Sequence, residues 1–544
     1  MSIHSQSYPM VIRVMMILAC IVYFNPGKSQ DVYYHVSNTE LYDFLDELAN
    51  SRIIFINSVV KPFSREYIAE KLLESSKQRD RLTRRQSADL DFYLKDFQKE
   101  LDTLVISKKR IDVFYHRDSL FTLSVNPILG VQYWQHEGGN NYHRWAGAEA
   151  FGYVGKHFGV YVSLRDNHED KIISDTGDYN RRFGAKYKEG QDYSEMRGGF
   201  TWKWKWGTIG LVKDHMEWGN TYHYPNIVSA KAPSFAQIKF NLRPVRWFEF
   251  NYFHGWLVSA VVDSSRSYNY NGVQRNVFHG KYMAANMYTF IPWRGLNLSF
   301  GNSIVYSDIG VHPAYLIPFF FYKSVDHTYN NSQNRSGQNS QLFFDISCRL
   351  IPKLHLYYSM YLDDLSFYRM FDRDRQSNHW SMKWGMRVSN LLPNLLLTTE
   401  YTRTNPLTYQ NDNTTTLYNS NWYNLGHYLK DNADVLYFAL NYKPVRGLNI
   451  SVYYEKLRKG PGYPYIRSAD PETGIPQVHG KKFMEEVVWS QTQYGLSAHY
   501  QVINDLYVFA GIQRKTAGGD QERFTAPFFL GDLWIFNGGI NIGF

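Results

Sequence analysis

The sequence predicts an all-β fold: a transmembrane antiparallel β-barrel of about 18 strands, preceded by a small N-terminal α-helical domain. Three observations carry that expectation: a two-residue hydrophobic period from about residue 111 onward, an aromatic-rich yet polar composition, and short turns that alternate with long polar connections.

Composition excludes several classes first. The 544 residues include 44 Tyr, 35 Phe, 14 Trp and 38 Gly, yet the mean hydropathy is −0.44. A helical membrane protein is not that polar, whereas a barrel turns every second residue toward a wet lumen. The formal charge of +9 is spread along the strands, without a basic tract, zinc-finger spacing or reading helix, so nucleic acid is not an expected partner.

At the start, Arg13 and the apolar run Val14 to Phe24 lead to Asn25-Pro-Gly-Lys-Ser-Gln30, a signal peptide expected to occupy residues 1–29. Ile17-Leu-Ala-Cys20 has the outline of a lipoprotein box, but Ile21-Val-Tyr-Phe24 continue the signal core. If Cys20 leaves with the signal, Cys348 is the sole cysteine and no intrachain disulfide forms.

Residues 30–110 follow a helical period and are expected to form a periplasmic domain. Ser37-Asn-Thr-Glu40 reads as a capping box, with Leu41, Phe44, Leu45 and Leu48 on one face of the helix it opens. A second helix is expected from Pro62 to Ser64 onward, carrying Tyr67, Ile68, Leu72 and Leu73. A third, roughly 87–101, carries Leu90, Tyr93, Leu94, Phe97 and Leu101. Arg79, Arg81, Arg84 and Arg85 between them read as a solvated linker or as a contact to peptidoglycan or a partner protein.

The barrel is expected over 111–544. Phe158, Val160, Val162 and Leu164 alternate with Tyr161, Ser163 and Arg165, and Trp202, Trp204 and Trp206 with Thr201, Lys203 and Lys205. Phe248, Phe250 and Tyr252, then Leu342, Phe344, Ile346 and Cys348, then Leu448, Ile450, Val452 and Tyr454 repeat the pattern. Trp247, Trp293 and Trp534 near strand ends suit a membrane-interface belt. The last strand, from Leu533 to a terminal Phe544, sets Trp534, Phe536, Ile540 and Ile542 against Asn537, Gly539, Asn541 and Gly543.

Pro244, Pro292, Pro352, Pro393 and Pro444 mark sharp reversals, since proline cannot donate to a ladder. The intervals between them hold two strands and one long connection, the asymmetry of short periplasmic turns and long extracellular loops. The long connections expected at the cell surface are 168–192, 214–233, 259–276, 307–340, 405–433 and 457–487.

No catalytic constellation stands out. Asp214, His215 and Glu217 sit together in Gly210 to Gly219, more readily as turn or ligand contacts than as an enzyme centre. Asp363 and Asp364 are adjacent in a strand and so point to opposite faces. His116, His136, His143 and His157 are scattered near strand ends and read as rim groups. There is no zinc-protease, nucleophile-elbow or phosphate-loop pattern, so neither an enzyme nor a metal or organic cofactor is expected.

Several motifs in shared order resemble the Wzi-like family of outer-membrane capsule assembly proteins. They are Tyr42-Asp-Phe-Leu-Asp-Glu-Leu-Ala49, Pro62-Phe-Ser-Arg-Glu-Tyr-Ile-Ala69, Gly210 to Gly219, His312 to Lys323, Ser340 to Leu350 and Leu362-Asp-Asp-Leu-Ser366. Aromatic richness and the Ser29-Gln30 ending resemble a Bacteroidota-type member. Residues 30–37 and the extended 307–340 and 457–487 connections depart from the family.

The resemblance implies a barrel that retains or organises exported surface polysaccharide without making or cleaving glycosidic bonds. Its partners would be that polysaccharide, outer-membrane lipid and lipopolysaccharide, and other outer-membrane proteins docking through residues 31–110. Asp214, His215, Trp218, Tyr222 and Asp364 are the residues expected, on physical grounds, to contact sugar. The rivals are a substrate-selective porin, with Lys203, Lys205, Lys383 and Arg387 as an anion filter, and a structural subunit of an assembly or transport complex.

Overall fold

A computed structural model describes residues 31–101, 112–188, 190–329, 338–364, 378–469, 476–478 and 480–543. The signal segment with Cys20, the junction near 110 and Phe544 lie outside them. Eighteen antiparallel strands close into a barrel, as the period of two predicts. They are β1 Phe121–His136, β2 Gly139–Val154, β3 Phe158–Glu169, β4 Asp192–Trp204, β5 Gly207–Asp214 and β6 Phe235–Val245. Then follow β7 Phe248–Leu257, β8 Lys281–Trp293, β9 Leu296–Ser307, β10 Asn339–Cys348, β11 Leu354–Asp364 and β12 His379–Val388. The last six are β13 Leu395–Thr404, β14 Ala433–Tyr442, β15 Leu448–Lys459, β16 Trp489–Ile503, β17 Leu506–Gly519 and β18 Leu533–Ile542. β18 closes on β1 from Phe536↔Gln135 to Ile542↔Leu129, and Phe114–Arg117 pairs with the remaining edge of β1.

Alternation sorts the side chains as expected. Phe158, Val160, Val162 and Leu164 are exposed on the outside of β3, while Tyr161 and Ser163 are buried inside. An exposed apolar outer face on a closed barrel calls for lipid as its solvent. Among the described residues no helix is long and apolar enough to cross a membrane.

Short connections lie on one rim and the long ones on the other, save for the tight β1–β2 hairpin. Pro352, Pro393 and Pro444 sit in short turns. Pro244 and Pro292 instead lie within β6 and β8, where the register shifts beside them; a bulge tolerates a residue with no N–H.

At the short-turn rim stand three helices: α1 Thr39–Asn50, α2 Arg65–Ser76 and α3 Arg84–Asp96. Ser64 caps α2, and a Thr83–Gln86 capping box opens α3. The box expected at Ser37 is absent: Asn38 is the N-cap of α1 without a side-chain capping bond, its amide donating to the His35 carbonyl at 3.1 Å, and Ser37 Oγ lies 2.6 Å from His35 Nδ1.

The helices are bolted to the barrel by charge. Asp43 pairs with Arg387 and Lys443, Asp46 with Arg349 at 2.8 Å, and Tyr93 donates to Gln501 at 3.0 Å. Arg85 is no solvated linker residue: it is buried, paired with Glu47 and Asp89, and donates to Asn394 in a barrel turn at 3.0 Å.

Three of the connections expected at the surface fold inward instead. Residues 215–234 descend into the lumen, where Glu217–Trp218 pairs antiparallel with Val60–Lys61 from the N-terminal segment. Residues 405–432 lie against them: Tyr409 Oη donates to the Asn226 carbonyl at 2.7 Å and Tyr418 Oη to that of Ile227 at 3.0 Å. Residues 170–188 add a third layer, with Gly184 N–H donating to the Lys231 carbonyl at 2.7 Å. Trp218, Phe253, Met283, Phe343, Tyr361 and Tyr418 form one buried apolar cluster of plug and wall. Enclosed backbone must find partners, and the wall's polar face supplies them.

The connection after β9 also departs from expectation. Part of it, through the helix α4 Tyr322–Tyr329, covers the outer wall of the barrel. There Asn286 and Asn302, polar residues on the outer face, donate to the carbonyls of Pro318 and Phe320. An outward amide facing lipid unpaired is costly, and this cover satisfies it.

Candidate ligand-binding lumen

Two inward carboxylates anchor the plug. Asp345 on β10 accepts Asn220 N–H at 2.8 Å and a second bond from the Asn220 side chain. Glu400 on β13 accepts the N–H of Tyr222 at 2.6 Å and of His223 at 3.1 Å, and pairs with Lys383 at 2.7 Å. Gly219, just ahead of the first anchored residue, turns the chain at φ +101°, a conformation that favours glycine.

This arrangement relocates four of the five residues expected to contact sugar. Asp214 ends β5 and accepts from Tyr161 Oη at 2.8 Å; His215 stacks on Phe183 with ring centroids 4.8 Å apart. Trp218, 1% exposed, is edge-on to Phe253 and Phe343. Tyr222 lies under the Arg387 guanidinium at 4.3 Å, its hydroxyl 2.8 Å from His355 Nδ1. All four are held by protein groups of the inner wall and the plug, because the segment that Asp214 opens is inside the lumen rather than at the surface. Asp364 is not with them: it ends β11 at the long-loop rim, opposite His379. Its neighbour Asp363 turns inward and accepts Tyr409 N–H at 3.1 Å.

The scattered histidines separate. His116 is exposed beside Asp118, and His136 and His157 bond to backbone carbonyls at the rims. His143 is instead buried on the inner face of β2, 3.1 Å from Asn167 and from Arg182. Three cations proposed as an anion filter are already neutralised: Lys203 by Glu66 at 2.8 Å, Lys383 by Glu400 and Arg387 by Asp43.

Between the plug and the inner faces of β15 to β18 and β1 lies a chamber of about 410 Å³. Its wall presents Gln491, Gln493, Gln513 and Asn537 beside Tyr453 and Glu455, and the plug contributes Tyr179, Arg181, Arg182 and Tyr428. Tyr453 Oη donates to Gln513 at 2.6 Å, Tyr428 Oη to Glu455 at 3.0 Å, and Gln493 bonds to Glu455. His223 Nε2 lies 2.9 Å from the same carboxylate, with its ring on Tyr437. Burial lowers the His223 pKa.

Amides that donate and accept, flat rings and charged groups of both signs suit a polyhydroxylated ligand, whose hydroxyls do both and whose C–H faces stack. Glu455 falls on the polar face that alternates with Ile450, Val452 and Tyr454, but its companions escape a reading of that strand alone. Their signal is the glutamine pair at alternate positions of β16, Gln491 and Gln493, with Gln513 on the neighbouring strand opposite Gly495.

Beyond the long-loop rim, Val262–Tyr270 and Val273–Phe278 form a two-stranded hairpin, with Tyr268 and Tyr270 more than half exposed. Among the described residues, the group with the donor atoms to hold a metal ion is His35, Asp214 and His215.

No known family model matches this sequence, and no curated protein matches it. The fold is similar to that of Wzi, described as an outer-membrane protein involved in group 1 capsule assembly in Escherichia coli and as a carbohydrate-binding β-barrel. The two are 13% identical over 95% of this chain and 99% of that one, with a TM-score of 0.56. More distant are OccD3 (OpdP) of Pseudomonas aeruginosa, 11% identical over 76% of this chain and 90% of that one at TM-score 0.41, and OccAB2 of Acinetobacter baumannii, 10% identical over 77% and 97% at 0.41. Along nearly its whole length, the chain has the fold of an 18-strand outer-membrane barrel with an N-terminal helical region.

Proposed function

We propose that this protein is a non-enzymatic outer-membrane barrel that binds and retains exported surface polysaccharide of the capsular kind. The observation that carries the reading is the amide- and tyrosine-lined chamber beside a plugged lumen, in which Lys203, Lys383 and Arg387 are already paired. A plug packed through a shared apolar core onto the wall favours holding a ligand over passing one. The fold shared with a carbohydrate-binding barrel agrees with this.

In this reading residues 1–29 direct export, and the helices and short turns face the periplasm, where residues 31–110 are available to other outer-membrane proteins. The outer wall meets lipid and lipopolysaccharide, and the hairpin Val262–Phe278 stands at the cell surface. Sugar units stack on Tyr268 and Tyr270 and on chamber tyrosines, and hydrogen bond to Gln491, Gln493, Gln513 and Arg181. Asp214, His215, Trp218 and Tyr222 act behind them as positioning residues that hold the plug, and Asp364 is a rim contact.

The test is calorimetric titration of the purified protein with the surface polysaccharide of its own cell. Saturable binding that weakens in Tyr268→Ala/Tyr270→Ala supports the reading. No heat above that of an unrelated neutral polysaccharide overturns it.

A further inference from the structure

Four successive short turns carry the same pair, an exposed cation beside an exposed large apolar side chain. They are Lys205 with Trp206 between β4 and β5, Arg246 with Trp247 between β6 and β7, Arg294 beside Trp293 between β8 and β9, and Lys353 with Ile351 between β10 and β11. Trp206, Trp247, Trp293 and Ile351 are 45%, 56%, 64% and 59% exposed. Their strands are neighbours in the barrel, and two strand spacings set successive turns roughly 10 Å apart along the rim.

Indole rings exposed at the edge of an apolar wall sit at the level of lipid headgroups. A long basic side chain one or two residues away lays its stem on the apolar surface and its charge among those headgroups. None of the four turns contains a carboxylate. Cations on the inner side of the same rim are matched: Lys203 by Glu66 at 2.8 Å, Arg243 by Glu249 at 2.6 Å and Arg349 by Asp46 at 2.8 Å. Lys205, Arg246, Arg294 and Lys353 make no side-chain hydrogen bond or ion pair among the described residues, and Arg294 lies over the Phe55 ring at 5.4 Å. Past β11 the rim differs. The 389–394 turn exposes Leu391 and Leu392 without a charge, Arg446 is engaged by the carbonyls of Gln501 and Val502, and the β16–β17 turn carries Asp505.

We propose that this arc, Lys205, Arg246, Arg294 and Lys353, binds the phosphate headgroups of anionic glycerophospholipid in the leaflet on the short-turn side. A phosphodiester offers these ammonium and guanidinium groups the acceptor that the protein does not, and the lipid's acyl chains continue along the wall past Trp247 and Trp293. Because only one side of the rim is basic, the lipid shell is selective there and not around β12 to β18. The inference rests on the reading of the outer wall as lipid-facing and is independent of polysaccharide binding.

The test reconstitutes the full barrel in phosphatidylcholine vesicles with a trace of spin-labelled phosphatidylglycerol or spin-labelled phosphatidylcholine, and electron spin resonance reads the share of each label immobilised at the protein surface. Wild type is expected to immobilise more of the phosphatidylglycerol label, and to lose most of that excess at about 1 M salt, a readout that needs no variant. Lys205→Gln with Arg246→Gln, Arg294→Gln and Lys353→Gln is expected to lose most of the excess at low salt while keeping the gel migration of a folded barrel. Equal shares of the two labels in wild type, an excess indifferent to salt, or an excess kept in full by the variant would overturn the arc and leave the lipid-facing wall intact. Displacement of the excess by inorganic phosphate at constant ionic strength would assign a free-anion site and overturn it too. Immobilisation of neither label would remove the lipid-facing wall along with it.

Discussion

Tyr222 and Glu400 join the plug to the wall it faces: the Tyr222 N–H donates to Glu400 Oε1 at 2.6 Å. The same carboxylate holds His223 and Lys383, so one side chain on β13 serves both as backbone acceptor and as counter-ion. Asp345 does the equivalent work for Asn220. Part of the polar inner face of the barrel is thus spent on a loop's backbone.

Removing that acceptor therefore unseats the plug. Glu400→Ala leaves Lys383 buried without its counter-charge, and breaking such a pair costs about 3–5 kcal/mol. Denaturant titration of the reconstituted barrel is expected to show that loss. Replacing both partners, Glu400→Leu with Lys383→Met, recovers most of it.

The loop that borders the chamber carries a pH response. Burial, with Asp175 alongside, pushes the Asp178 carboxyl up to about 6 from 3.8, and its Oδ2 has no hydrogen-bond partner. The folded loop thus binds more protons than an opened one between pH 3.8 and 6, and its anchoring weakens as pH rises through that window, by no more than about 3 kcal/mol. Hydrogen exchange over residues 170–188, corrected for intrinsic rates, is expected to show more protection at pH 4.5 than at 7, and Asp178→Asn to flatten the difference.

Chamber amides contribute one hydrogen bond at a time. Gln491→Ala with Gln493→Ala is expected to weaken polysaccharide binding about tenfold, the equivalent of one to two hydrogen bonds of about 1 kcal/mol each. Calorimetry reads this, with heat-modifiable gel migration as the check on folding.

At the other rim, the α3 capping box is a local stability element. Thr83→Ala removes the side-chain acceptor for Gln86 N–H and costs about 1 kcal/mol. Exchange protection at the start of α3 falls, while that of α1 is unchanged.

How far the sequence reached follows from the range of each interaction. The strands were legible because the alternation of Phe158, Val160, Val162 and Leu164 is local, and every expected strand has its counterpart in the barrel. The start of the second helix near Pro62 to Ser64 was legible for the same reason. The inward fold of 215–234 was not legible, since its cause lies in Asp345 and Glu400, more than a hundred residues away along the chain. His35 reaches His215 across 180 residues of sequence, so no spacing motif announces that cluster. Polar loops look alike whether they meet water or a polar inner wall, which is why the 214–233 connection read as a surface loop.

The central claim, a plugged barrel that holds polysaccharide, is tested most directly by single-channel recording of the purified protein in a planar bilayer, with and without the cell's own surface polysaccharide. The account predicts a closed, non-conducting barrel that nonetheless binds the polymer. A steady open conductance indifferent to the polysaccharide would contradict it.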